Sequence, residues 1–157
     1  MIRIDRSRTP SPLDPDLVAS AQARLYEFYS RPSDVRRKQK LDLRDSDMIA
    51  QKARQGLLEA FFGKCSYCEA AVVSGEVDRF RPNIDASNLS GEGSPDHYGW
   101  LSADWENLYI ACPACARSKR SFFPIEGQRA EVLMPLEAVR RSERALLVDP
   151  CNDQPAK

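Results

Sequence analysis

Apolar residues recur at helical spacing in two stretches of the first 62 positions. Leu17, Ala21, Leu25 and Phe28 share one face of a segment that opens with Asp14-Pro15. Asp14 suits an N-cap, and Pro15 suits the first helical position, where an N–H would be unpaired anyway. Ser30-Arg31-Pro32-Ser33 ends this helix. Ile49, Ala53, Leu57 and Ala60 mark a second helix over about residues 46–62, broken by Gly63-Lys64. The pattern then shortens. Val72, Val73 and Val77 predict a hairpin around Ser74-Gly75 that leads into Asp78-Arg79-Phe80. Residues 83–99, rich in Asn, Ser, Gly, Asp and Pro, predict a long surface loop. From Leu101 to Ala111 the chain begins as a short helix or turn, with Trp100, Trp105 and Leu108 as core anchors. A short basic helix follows at Ala116-Arg117-Ser118-Lys119-Arg120, and residues 135–145 predict another helix. Residues 1–12, polar and dotted with Pro10 and Pro12, read as an arm or edge strand. No internal repeat or low-complexity tract is present.

Four of the five cysteines change this picture, because they fall in two pairs, Cys65-Ser66-Tyr67-Cys68 and Cys112-Pro113-Ala114-Cys115. Two such knuckles present four thiolates to one tetrahedral ion, which predicts a structural Zn²⁺ rather than a disulfide framework in a chain without a secretion signal. A closed shell of four sulfurs leaves no open position, so this zinc is not a reactive metal. The 43 residues between Cys68 and Cys112 exceed the interval of a zinc ribbon and predict a folded insert clamped at its base. Cys151 is left over as a thiol near the end of the chain.

Length and charge set the outer bounds. A chain of 157 residues, at roughly 100–200 residues per domain, reads as one compact unit. Within it, residues 1–62 are expected to pack an arm and helices on the core, 63–125 to form the zinc module, and 126–157 to add a helix and tail. The 23 basic and 23 acidic residues cancel, so there is no global positive field, and any nucleic-acid contact must come from local patches. The run Arg36-Arg37-Lys38-Gln39-Lys40 reads as solvated surface in preference to such a contact. No apolar run approaches a membrane span, and Arg3, Arg6 and Arg8 precede no signal-like stretch, so the expectation is a cytoplasmic protein with no membrane partner.

The remaining motifs carry a resemblance. Lys64-Cys65-Ser66-Tyr67-Cys68-Glu69, Phe80-Arg81-Pro82, Trp100-Leu101, Trp105-Glu106-Asn107-Leu108, Cys112-Pro113-Ala114-Cys115, Lys119 and Phe123-Pro124 follow one another in order. Residues from about Lys64 to Pro124 thereby resemble an HNH endonuclease of the four-cysteine, ββα-metal type. The wider chain is similar to the HNH proteins of bacterial retron and Septu-type defence systems. The tail Leu146-Leu147-Val148-Asp149-Pro150-Cys151 resembles a segment that precedes further sequence in such proteins. The implied fold is α+β, a ββα-metal (His-Me finger-like) core stapled by a Cys₄ zinc site with added N- and C-terminal helices.

Phosphodiester hydrolysis on such a core needs a divalent cation and a base that activates water. By the resemblance, Asp78 would bind that cation, Mg²⁺ or Mn²⁺, and Asn107 would fix the loop and the base. The base itself should be a histidine, but Arg79 stands there, and the second metal-facing residue, an asparagine or histidine, is replaced by Ala116. A guanidinium stays protonated and would repel a cation, and alanine offers no ligand. The lone histidine, His97, offers a substitute base only if it reaches Asp78, and the loop-anchoring reading outweighs that one. An Arg79–Asp78 contact would need a local bend, since neighbours on a strand face opposite ways.

Arg79, Arg81, Arg117, Lys119 and Arg120 are the candidate nucleic-acid contacts, because the resemblance lays the last helix of the module along a phosphate backbone. The leading expectation is a degenerate HNH-like domain serving as a nucleic-acid-binding or assembly component of a bacterial anti-phage system, with DNA favoured over RNA. An active metal-dependent DNA or RNA nuclease is the rival from the enzyme class. A scaffold that holds an effector without touching nucleic acid is the third reading, and the resemblance implies an ABC-type ATPase as the partner.

Overall fold

The computed structural model describes residues 4–6 and 13–153. Expectations for Arg3, Arg8, Pro10 and Pro12 lie outside these residues. α1 (Pro15–Tyr29) is capped by Asp14, whose side chain accepts from Asp16 N at 3.0 Å, with Pro15 opening the helix. Its core face is Ala21, Leu25 and Tyr29. The break after α1 is itself helical for one turn, α2 (Ser33–Arg36), which turns Arg36 inward. That arginine bonds Tyr29 O and Arg31 O and pairs with Asp96 at 2.8 Å, so the basic run is solvated only from Arg37 onward. α3 (Arg44–Ala60) buries Ile49, Ala53, Leu57 and Ala60 as its spacing predicts, and it begins and ends two residues earlier than expected.

The expected hairpin around Ser74-Gly75 does not form. β1 (Glu76–Arg79) pairs instead with β4 (Leu108–Ala111), antiparallel, in the register Glu76 opposite Ala111 through Arg79 opposite Leu108. Gly75 serves close approach rather than a turn, because a Cβ there would lie 2.6 Å from the Ile110 side chain. The loop at 83–99 is not wholly irregular. It holds the two-residue strands β2 (Ala86–Ser87) and β3 (Gly93–Ser94), which pair with each other. Single 3-10 turns at Gly99–Leu101 and Trp105–Asn107 lead into β4. Gly99 is required where it stands, since a Cβ would collide with the Tyr29 hydroxyl. α4 (Pro113–Lys119) follows, then β5 (Ile125–Glu126), α5 (Leu136–Ser142) and β6 (Arg144–Ala145), which pairs with β5.

The molecule is thus a mixed α and β fold with small sheets. The motif aromatics pack at its centre: Phe80 stacks on Tyr109 with ring centroids 5.2 Å apart and meets Phe123 edge-on at 5.3 Å. Described residues near each end, Ile4 and the segment 149–151, are tied into the fold. Asp149 accepts from Tyr109 Oη at 2.6 Å and from Cys151 N at 2.8 Å, and Ile4 N donates to Pro150 O at 2.8 Å. Cys151 packs half-buried against the core, and burial pushes its thiol up to about 11.

Candidate metal centre and the flanking polar site

The first cysteine knuckle is built where α3 stops. Phe62 and Gly63 both take left-handed backbone angles, and Gly63 N donates to Leu58 O. Cys65 N then bonds Ala70 O, and Glu69, also left-handed, donates its N–H to Cys65 O, which folds Cys65 to Cys68 into a tight turn. The second knuckle uses the β4–α4 junction. Cys112 caps α4, accepting from Cys115 N at 3.5 Å, and donates its own N–H to Cys65 Sγ at 3.3 Å. That capping N–H holds the Cys112 thiol down at about 7.

All four sulfurs lie within 4.8 Å of one another. Cys68 Sγ and Cys112 Sγ are 3.8 Å apart; a regular tetrahedron of Zn–S bonds about 2.3 Å long has edges of about 3.8 Å. The donor set and its spacing therefore fit a structural Zn²⁺ held by Cys65, Cys68, Cys112 and Cys115.

Next to this cluster β1 turns its two candidate residues to opposite sides. Asp78 Oδ2 accepts from Tyr67 Oη and lies 2.9 Å from Lys119 Nζ. Lys119 also donates to Arg79 O at 2.8 Å. The side chains of Lys119 and Asp78 are only 7% and 14% exposed. Burial lowers the pKa of Lys119, against the pull of Asp78. Burial and the Asp78 charge raise that of Tyr67 well above the phenolic range. The carboxylate is therefore matched by an ammonium of the chain itself.

Arg79 instead reaches α3 and the first 3-10 turn: it donates to Ser102 O at 3.1 Å and Ser46 O at 3.0 Å, and pairs with Asp47 at 3.0 Å. Asn107 is buried and locks the loop after β1, accepting from Arg81 N at 2.9 Å and donating to Arg81 O and Leu101 O.

His97 stacks edge-on against Tyr98 and Trp100, with Nε2 buried and no hydrogen-bond partner. Burial, then the nearby Arg129, lowers its pKa. None of these neighbours is a partner of Asp78. Arg81 is also turned inward, 3.2 Å from Glu143, with side chains 4% and 0% exposed. Glu143 further accepts from Tyr98 Oη and Ala130 N. Of the five candidate phosphate contacts, Arg117 and Arg120 are exposed, and Arg120 holds a positive φ of 46° at the end of α4. Ala116 lies on α4, a turn before Arg120, whose N–H bonds Ala116 O.

Tyr67, Asp47 and Glu143 were not among the residues singled out in the sequence. Tyr67 sits in a spacer position of a metal knuckle, and the two acids lie far along the chain from the arginines they pair with, so no local pattern marks them.

Comparison with known proteins adds a relationship. Over 107 residues the chain is 38% identical to the Septu protein PtuB of Bacillus mycoides (strain KBAB4), covering 64% of this chain and 35% of that protein. Over 100 residues it is 37% identical to the Septu protein PtuA of the same strain, covering 62% of this chain and 14% of that protein. Both are homologues. The chain spans about a third of one relative and a seventh of the other. No protein-family model and no solved structure matches it.

Proposed function

We propose that this chain is a zinc-stapled domain of HNH-endonuclease type whose own cleavage site is disabled, and that it works as an assembly component of a Septu-type anti-phage defence system in the bacterial cytoplasm. The observation that carries this reading is the closure of Asp78 by Lys119 and Tyr67. A catalytic Mg²⁺ or Mn²⁺ would need that carboxylate, and the ammonium beside it repels a second cation while satisfying the anion. Arg79 cannot take a proton from water, a loss worth about 10²–10⁴-fold in rate. It is also committed to α3. The order of two antiparallel strands followed by α4, with both cysteine pairs at its edges, supports the ββα-metal assignment. The likeness to Septu proteins supports the system, and by the same family resemblance the partner is an ABC-type ATPase.

The test is a cleavage assay on supercoiled plasmid, single-stranded DNA and RNA with Mg²⁺ or Mn²⁺, with Asp78→Ala alongside. No cleavage above the Asp78→Ala background is expected. Metal-dependent cutting that Asp78→Ala abolishes would overturn the reading and establish an active nuclease. Cleavage gained by Arg79→His with Ala116→Asn would mean that only the chemistry was lost.

A second reading, nucleic-acid binding with DNA favoured over RNA, rests on the exposed Arg117 and Arg120. It predicts binding that weakens steeply with salt and is lost in Arg117→Glu, Arg120→Glu. Arg79, Arg81 and Lys119 add little to it, since their cations are engaged inside the fold.

A further inference from the structure

A broad depression among the described residues has no role in the site above. It encloses about 800 Å³ between α1, the two 3-10 turns and the segment 133–137, within the roughly 300–1,000 Å³ range of built binding clefts. α1 is two-faced here. Ala21, Leu25 and Tyr29 enter the core, while Pro15, Val18, Ala19, Gln22 and Tyr26 form a second stripe that lines the groove, and Tyr26 is 62% exposed. From Pro15 to Tyr26 that stripe runs about 16 Å at 1.5 Å per residue, the length of three helical turns. The opposite wall is apolar as well, with Trp100, Trp105, Leu133 and Leu136.

The charges in the groove are of one sign. Asp104, Glu106 and Glu137 line it, and no described lining residue is Lys or Arg. Glu106 and Glu137 are answered by Arg140 of α5 at 2.5 and 2.7 Å. Asp104 is met at 3.1 Å by the neutral amide of Gln22, and burial raises its pKa to about 6. An ionised carboxylate among tryptophans and leucines is costly until a cation reaches it.

We infer that this groove docks an amphipathic helix of the partner protein, one whose apolar side chains flank a lysine or arginine that pairs with Asp104. The inference rests on the assembly function proposed above and gives it a surface. It differs from the second reading, because an anionic apolar groove excludes a phosphate backbone.

Both tryptophans of the chain line the groove, so intrinsic fluorescence reports its occupancy. The probes are a full-length ABC-type ATPase, the partner proposed above, and overlapping synthetic peptides that span it. A peptide with apolar residues about a Lys or Arg should shift the fluorescence. Asp104→Asn and Ala19→Arg should each weaken it by about 30-fold or more, as expected when a desolvated charge pair or a helix contact is removed. The same two variants should release the full ATPase.

A complex with the ATPase that both variants leave unchanged would overturn the groove and leave the assembly reading standing. No complex at all would overturn both. A fluorescence response to peptides that emerges only after residues 7–12 are replaced by Gly-Ser would make the occupant the chain's own segment and overturn the partner.

Discussion

Removing one member of the Asp78–Lys119 pair should be among the more damaging single changes in the fold. Lys119→Met keeps most of the stem that crosses the interior but strips the ammonium from a carboxylate only 14% exposed. Tyr67 Oη is then its one remaining donor among the contacts described. Asp78→Asn keeps the shape and leaves an ammonium 7% exposed on the carbonyl of Arg79. Breaking a buried pair from one side costs about 3–5 kcal/mol, because the surviving charge stays desolvated. Replacing both, Asp78→Asn with Lys119→Met, should cost less than the sum of the singles by about 2–3 kcal/mol. Urea unfolding followed by tryptophan fluorescence, at constant excess zinc, measures all three. Mn²⁺ should not raise the wild-type melting temperature, since the carboxylate already has its cation. Two single variants costing under about 1 kcal/mol each and adding without coupling would show a solvated, available Asp78. Stabilisation by Mn²⁺ that vanishes in Asp78→Asn would do the same, and either result refutes the closed site.

The zinc should be stoichiometric: metal analysis is expected to give one Zn²⁺ per chain, lost together with cooperative unfolding in Cys65→Ser and Cys112→Ser, while Cys151→Ser keeps it. Asp104→Asn should stabilise the isolated chain near neutral pH. The folded pKa of about 6 stands above the ordinary 3.8, so the native state holds this proton more tightly. The contribution of Asp104 to stability is then greatest below pH 4 and declines as pH rises toward and through 6, by up to about 3 kcal/mol at about 1.4 kcal/mol per tenfold in proton affinity. Chemical denaturation at pH 5 and pH 7.5 should show a smaller pH difference in Asp104→Asn than in wild type. Arg120→Gly should gain about 1 kcal/mol, because Arg120 holds φ of 46° and ψ of −121° where glycine rests without strain; a loss in thermal melting would mean that its Nε contact with Arg117 O outweighs the backbone.

What the sequence revealed was what is local. The Asp14-Pro15 cap, the core stripes of α1 and α3 and the x-x spacing of the cysteines each act within a few residues, and each is found in the fold. What stayed hidden depends on distant pairing. β1 finds its partner about thirty residues on, across the insert, whereas Val72, Val73 and Val77 pointed to a nearer one. Arg81 reads as a surface cation until its bond to Glu143, 62 positions away, is seen. Arg36 looked like one charge in a solvated run, yet Asp96, 60 positions on, draws it inside. A basic residue carries no mark of burial when its counter-charge lies that far along the chain.

The same buried cations bear on the proposal that the scaffold keeps its shape without nuclease chemistry. The four thiols gather without any contact to Asp78, and Asn107 ties the loop after β1 with its Oδ1 accepting from Arg81 N and its Nδ2 donating to Arg81 O and Leu101 O. The bonds that set this shape are made by the chain's own groups. A half-buried aspartate does depend on some cation, and here Lys119 supplies it from within. With that pair closed, placing a histidine at position 79 alone is expected, under the proposed reading, to give no cleavage. Arg79 in its place adds bonds to α3 that hold the helix against the strand. The ion pairs observed on this strand serve stability. The groove along α1 shares no lining residue with the cysteine cluster or with Asp78. Substitutions in the groove can accordingly leave both untouched, which is the independence the proposed assembly role requires.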